Sequence, residues 1–372
     1  MEPGKYQQCK RCVMDTTDSA IEFDRNGYCN HCTGYFEKTA VVAYQEDENK
    51  KKLASLVEKM KISGRNSKYD CLLGISGGID SCYAACIIKK LGLRALIVHL
   101  DNGWDSDTSV KNIKHTIDKI GFDYESYVLN WEDFKDLQLS FLKASVPEIE
   151  TPTDIAIPAA LHKIASKHKI KFIISGGNLV TEGILPESWH YNAKDLTYLR
   201  SIHRQFGSGK LNKFPLFGYK QEIAFKYIHG IRTIYLLNYI PFSKKAAIKF
   251  LEENLDWKYY GGKHYESIYT RFVQSYILPE KFNIDYRKAT FSTQICAGEI
   301  TREAAMEDLN KLPYDPVKAE LEKSYFCKKL GISLDEFERI MDTPVKTYRD
   351  YPNDQKKLEY IYKVYRKINN RK

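Results

Sequence analysis

Residues 72–82 read LLGISGGIDSC, and the fold turns on this stretch. An apolar run stops at Ser76, Gly77 and Gly78 follow, and Asp80-Ser81 comes one residue later. Two adjacent glycines cost backbone entropy in any ordered element, so something must need bare backbone there. Tyr69–Ile75 has the pattern of a buried strand, and Ser81–Leu91 that of a helix ending at Gly92. Amides at such a strand-to-helix junction point outward, and the helix N-terminus adds partial positive charge. Gly77 and Gly78 let an anion touch this backbone, and the hydroxyls of Ser76 and Ser81 add donors. Asp80 would repel a bare phosphate but makes sense with a magnesium ion between them. The bland alternative is a tight turn without a ligand. Two glycines, two serines and an aspartate at one junction weigh against it. The loop is not a Walker A motif, because no lysine closes it, and G-x-G-x-x-G is absent.

Outward from the loop, strand and helix patterns alternate. Ala95–Leu100 reads as a second strand, 107–120 as a helix, Tyr124–Leu129 as a third strand, and 131–143 and 154–168 as helices. Phe172–Ile174 is a fourth strand running into SGGN at 175–178. This rhythm predicts an α/β fold with a doubly wound parallel sheet. Beyond about residue 185 the rhythm breaks and helical patterns dominate, including a capping box at Ser333 and Glu336 and a Lys/Tyr-rich helix over 353–370. The expected organisation is a head over 1–36, a helical linker over 37–68 with one charged helix at 37–62, a nucleotide-binding core over 69–185, and a mainly helical C-terminal region over 186–372 that completes the site.

The head reads CKRC, sixteen residues, then CNHC. Two C-x2-C pairs make two knuckles, and the thiolates of Cys9, Cys12, Cys29 and Cys32 would complete a tetrahedral zinc site. Between them IEFDRNGYC predicts a hairpin turning at Asn26-Gly27. A closed four-thiolate site has no open coordination position, so its expected role is structural. The other five cysteines fall singly, and the odd total of nine argues against a disulfide framework.

With 372 residues and 43% hydrophobic content, the chain has enough apolar material for about two globular domains. No apolar stretch is long enough for a membrane span, and MEPGKYQQCK lacks the apolar core of a signal peptide, so the expected compartment is the cytoplasm. The net charge of +9 is spread along the chain; it suits a polyanionic ligand and solvated lysines about equally.

SGGIDS after a buried strand resembles the pyrophosphate loop of the PP-loop ATP pyrophosphatase superfamily, whose fold is adenine nucleotide alpha hydrolase-like. The resemblance implies ATP and Mg2+ as cofactors. It also implies a reaction in which a substrate oxygen is adenylated, pyrophosphate leaves in the loop and a nucleophile displaces AMP. Ser76, Gly77, Gly78, Asp80 and Ser81 would bind and activate the phosphates. In this superfamily the end of the second strand approaches the adenosine, which points to Leu100 and Asp101 in LIVHLDNGWDS (96–106). IISGGNLVTEG (173–183) would add Gly176 and Glu182, the latter a candidate for magnesium or ammonia.

Longer segments resemble the N-acetyl sugar amidotransferase family of WbpG/PseA type. They are CKRCVMDTTDSAIEFDRNGYCNHC (9–32), GISGGIDSC (74–82), YYGGKHYESIYTRFVQSYILPEKFNIDYRKATFS (259–292) and GEITREAAMEDL (298–309). This resemblance implies conversion of the acetamido group of a nucleotide-activated bacterial sugar into an acetamidino group, for surface polysaccharide such as O-antigen or for flagellin glycan. It implies ammonia from separate glutaminase and cyclase-like subunits. The chain fits an external source: Glu2, not cysteine, follows the initiator methionine, and Cys296 in QICAGE lacks the pattern of a nucleophile elbow. In 259–292, His264, Glu266, Arg271, Lys281, Arg287 and Lys288 are candidates for phosphates or a sugar carboxylate, with Lys281 and Arg287 expected at the cofactor.

Two rivals remain. A tRNA thiolase also pairs zinc knuckles with this loop, and +9 suits RNA, but Cys82 and Cys86 in apolar YAACII read as packing and nucleic acid is not the expected partner. A non-enzymatic nucleotide sensor is disfavoured by intact Ser76, Asp80 and Ser81.

Overall fold

The computed structural model of the chain describes residues 6–42, 46–262 and 265–369. Five strands form one parallel sheet: β1 (Cys71–Gly74), β2 (Ala95–Asp101), β3 (Asp123–Val128), β4 (Phe172–Ser175) and β5 (Arg232–Tyr235), in the order β3-β2-β1-β4-β5. β1 is central because CLLG is buried on both faces. Leu73 joins Ile97 and Ile174 on one side, under the helix Ile79–Lys90; Leu72 joins Leu96, Val98 and Ile173 on the other, under the helix Thr151–Lys167. The chain leaves β1 toward β2 and later returns to β4 on the opposite side. That reversal opens a crevice at the carboxyl ends of β1 and β4, the place where open α/β sheets bind ligands.

The doubly wound parallel sheet is as expected, with three differences in detail. The sheet does not end at 185: β5 lies beyond that boundary and pairs with β4 through Phe172↔Arg232 to Ser175↔Tyr235. RTIY is an edge strand with Arg232 and Thr233 exposed, so it carries no apolar run to read. In place of one helix over 37–62 there are two, Asn30–Val42 and Glu46–Gly64, and 43–45 lie outside the described residues. In place of a stranded hairpin, a single antiparallel bridge joins Phe23 and Cys29. Its turn is held by the Asp24 carboxylate, which accepts from the amides of Asn26 and Tyr28 at 2.9 Å each, with Gly27 at φ +82°.

The head packs on the C-terminal region, far away in sequence. Val13 N–H donates to Ser292 Oγ (3.2 Å), Arg302 donates to the carbonyls of Cys12 (3.1 Å) and Cys9 (3.2 Å), and Lys288 pairs with buried Asp15 at 2.6 Å. One apolar core contains Cys9, Met14 and Tyr35 of the head together with Trp104, Phe272, Ala289 and Phe326. Among the described residues no helix is long and apolar enough to cross a membrane.

Candidate active site

The 76–81 loop is built by close approach. Gly77 has φ +79°, and a Cβ there would lie 2.4 Å from the carbonyl oxygen of Ser109, so only glycine fits. Its carbonyl accepts from the buried indole N–H of Trp257 (3.0 Å). Gly78 is the N-cap of the helix Ile79–Lys90 and offers no side-chain cap, which leaves the positive end of that helix facing the crevice. Ser81 Oγ accepts from Ser76 N–H and donates to the Gly78 carbonyl, both at 3.2 Å, and lies 3.3 Å from Ser76 Oγ. The two serines therefore brace the loop and edge its mouth. From β4 the chain runs against this loop: a Cβ on Gly176 would meet Ser81 N at 2.9 Å. The Asp80 carboxylate accepts from the Thr181 hydroxyl (3.3 Å), and Thr181 sits in the short helix Leu179–Glu182, which Asn178 caps.

A cavity of about 1280 Å³ opens over this loop. It collects most of the expected residues: Ser76, Gly78, Asp80 and Ser81, then Leu100, Gly176 and Glu182. Asp101 turns aside. Its carboxylate accepts from Gly103 N–H (2.9 Å) and shapes the turn after β2, while its neighbours Leu100 and Asn102 face the cavity.

The distal segment divides. Glu266 reaches the loop, with Oε1 3.5 Å from Ser76 Oγ and 3.1 Å from where a Gly78 Cβ would stand. Ser267, Thr270 and Gln274 line the same cavity. Lys281 and Arg287 are not brought there. Lys281 Nζ donates to the carbonyls of Ile340 and Met341 (2.8 Å each) and Thr343 (2.6 Å), closing the C-terminal end of the helix Leu334–Asp342, whose last carbonyls have no helical partner. Arg287 pairs with Asp285 (2.7 Å) and donates to the carbonyls of Asp308 and Lys311. Arg271 pairs with Glu322 (2.7 Å) and Lys288 with Asp15. His264 lies outside the described residues.

Among the cavity carboxylates that the sequence reading does not include are Glu150 and Asp154, at the start of the helix Thr151–Lys167. Gln274 donates to Glu150 Oε2 (2.8 Å), and burial pushes the Glu150 carboxyl up. Enclosure pushes the Asp154 carboxyl up to about 7, and the Glu150 charge adds to this. The readable signal was a pair of acids four residues apart in EIETPTDIAIP, otherwise apolar on that face.

The four thiols of Cys9, Cys12, Cys29 and Cys32 are fully buried and lie within 4.8 Å of one another, with Sγ–Sγ distances of 3.8 Å (Cys9–Cys32) and 3.5 Å (Cys12–Cys29). Tetrahedral zinc with sulfur at about 2.3 Å needs spacings of about 3.8 Å, so the donor set fits. Amides of Cys12 (3.4 Å) and Cys29 (3.3 Å) donate to Cys9 Sγ, and that of Cys32 to Cys29 Sγ (3.4 Å), as support for thiolate charge. None of the four lines the cavity. His31 is held by Asp18 at 2.5 Å. Cys296 stands within hydrogen-bonding reach of Cys32, on the flank of this cluster. Cys82 and Cys86 are packing residues: burial pushes their thiols up to about 12 and about 11, so neither is a thiolate at neutral pH.

Residues 266–368 match the C-terminal domain of the family described as LPS biosynthesis protein WbpG-like, and residues 66–181 match the family described as thiamine biosynthesis protein ThiI. The chain thus carries, one after the other, a segment similar to the ThiI family and a segment similar to the C-terminal domain of WbpG-like proteins. The ThiI match runs through β1 to Thr181, and the WbpG-like match begins at Glu266, the residue that reaches Ser76. Comparison with curated proteins gives no match. Solved structures that resemble part of the chain include the following three. One is described as a predicted subunit of tRNA methyltransferase from Methanocaldococcus jannaschii (17% identity, 49% of this chain and 74% of that one, TM-score 0.29). The second is the NMN synthetase from Francisella tularensis (16%, 58% and 89%, 0.30). The third is the NH3-dependent NAD synthetase from Campylobacter jejuni (14%, 56% and 93%, 0.28).

Proposed function

We propose that this PP-loop protein is an ATP-dependent, AMP-forming amidotransferase acting on the acetamido group of a nucleotide-activated sugar, in the cytoplasm. The observation that carries the reading is the shared cavity: Glu266 and Ser267, the first residues of the WbpG-like domain, line it together with the phosphate loop. In this reading the acetamido oxygen attacks the α-phosphorus of ATP, and pyrophosphate leaves with the electrons of the broken P–O bond. Ammonia then adds to the imidate carbon, AMP departs with the C–O electrons, and nitrogen gives up a proton to leave an amidine.

The loop amides, with Ser76 and Ser81, would hold the departing pyrophosphate, donors aimed where charge accumulates. Asp80 and Glu182 would hold Mg2+, which neutralises charge on the leaving phosphates. Asp154, with a carboxyl titrating near neutral, is suited to take the proton from nitrogen. Ammonia would come from separate glutaminase and cyclase-like subunits; the position of Cys296 on the flank of the thiol cluster supports an external source. The head would carry structural zinc. The LPS description of the matched family supports a product destined for surface polysaccharide. A tRNA thiolase is disfavoured by the protonated, packed thiols of Cys82 and Cys86.

The test is incubation of pure protein with ATP, magnesium, ammonium and a panel of nucleotide-linked N-acetylated sugars, read by mass spectrometry. AMP together with a sugar in which amide oxygen has become nitrogen is the expected result. AMP with no altered sugar would turn attention to tRNA, and no AMP even with a glutaminase partner added would defeat the enzyme reading.

A further inference from the structure

We propose that His99 is a standing imidazolium that pins the start of the phosphate loop to the first residues of the WbpG-like domain and so keeps the loop set for phosphate. This rests on the nucleotide-binding reading above. His99 ends the buried part of β2, is 7% exposed and lines the cavity. Its Nδ1 lies 3.0 Å from the carbonyl oxygen of Ile75, and its Nε2 lies 3.0 Å from a carboxylate oxygen of Asp105. A carbonyl and a carboxylate only accept. A neutral imidazole has one N–H, so one of the two contacts would then set a lone pair against an acceptor. Both contacts are satisfied when both nitrogens carry protons and the ring is cationic.

The two partners explain what the charge is for. Ile75 immediately precedes Ser76, and its amide extends the β1 ladder by donating to Val98 (2.9 Å). On the other side, Asp105 forms an antiparallel bridge with Ser267, and Ser106 N–H donates to the Glu266 carbonyl (2.8 Å). The path Ser76, Ile75, His99, Asp105, Ser267, Glu266 therefore closes on itself where the Glu266 carboxylate meets Ser76. His99 is the link between its two halves, a positioning residue that acts through the Ile75 carbonyl. Asp105 and, at the end of the same strand, Asp101 favour the charged ring, as does the carbonyl of Ile75, against the opposing effect of burial; together they raise its pKa. Across on β3, the Tyr124 phenol feels the same two carboxylates.

The test separates charge from mere packing. Asp105→Asn keeps the size of the partner and removes its charge, so burial is left with less to oppose it and the ring should lose its second proton at lower pH than in the wild type. In the wild type, imidazole nitrogen NMR should show both ring nitrogens protonated at neutral pH, and MgATP affinity should be flat from mildly acidic to neutral pH. In Asp105→Asn, affinity should match wild type at acidic pH, where the ring is charged, and fall roughly tenfold as pH rises to neutral, in step with loss of the second ring proton. His99→Gln, which donates one hydrogen bond without charge, should bind weakly at every pH. A neutral wild-type ring at pH 7 would overturn the inference, as would an Asp105→Asn protein whose affinity stays flat and normal. Absence of MgATP binding by the wild type at every pH is a different outcome: it would sink the nucleotide reading, and the role of His99 in it, whatever the NMR shows for the ring.

Discussion

The four-cysteine head and the phosphate loop gather charge in opposite ways. In the head, four buried thiols converge within 4.8 Å of one another and the local amides back them, so the site is complete within 24 residues of chain, Cys9 to Cys32. In the loop, Ser76 to Ser81 supply only a floor. Gly176 and Thr181 come up from β4, Trp257 anchors the Gly77 carbonyl, and Glu266 arrives from 190 residues away in sequence. A closed metal site can be finished by neighbours, whereas a site that must admit and release an anion needs open walls, and those come from distant segments.

The largest way to break this contrast is at the loop. Asp80→Ala should lower turnover by about 100-fold or more while circular dichroism and melting temperature hold, because under the proposed function the residue would hold Mg2+ at the leaving phosphates. Equal melting with normal turnover would remove Asp80 from the chemistry. At the head the pattern should invert. Cys29→Ser replaces a thiolate with a neutral hydroxyl; zinc measured by elemental analysis should drop out and stability should fall by about 3 kcal/mol. Unchanged metal content would refute the four-thiolate site. Gly77→Ala sharpens the comparison, since it damages fold and site together. Its φ of +79° and the 2.4 Å approach to Ser109 should cost about 2 kcal/mol in urea unfolding and weaken MgATP binding in calorimetry. The smallest effect is expected at Lys281→Met, about 1 kcal/mol from lost helix-end hydrogen bonds, with the KM for ATP unmoved. A raised KM there would restore the lysine to the cofactor.

These expectations track what could be read in the sequence. The central strands were legible because CLLG and ALIVHL are buried on both faces and form apolar runs. β5 was not, because the edge strand RTIY is mostly exposed and its place is set by pairing with β4. The cysteine ligands and the loop were legible because local spacing alone sets their geometry. The distal wall was only half legible. Glu266, Lys281 and Arg287 are alike as charges in a string, and their fates are set by what the fold brings near each one: Ser76 for the first, the carbonyl end of the helix Leu334–Asp342 for the second, Asp285 for the third. Tyr286 lines the cavity while Arg287, the next residue, faces away. Glu150 and Asp154 show in the sequence only as acids four residues apart at a helix start, a spacing that belongs to no motif.

Among the described residues the head has no core of its own. Cys9, Cys12, Met14 and Tyr35 share one apolar cluster with Trp104, Phe272 and Ala289, and the helix Tyr286–Cys296 runs from a cavity wall at Tyr286 to the flank of the thiols at Cys296. A heated molecule therefore has no seam at residue 36 along which to come apart. Head and distal wall make one cooperative unit, and amides from the cysteine knuckles and from 286–296 should exchange with deuterium through the same opening event, at the same rate.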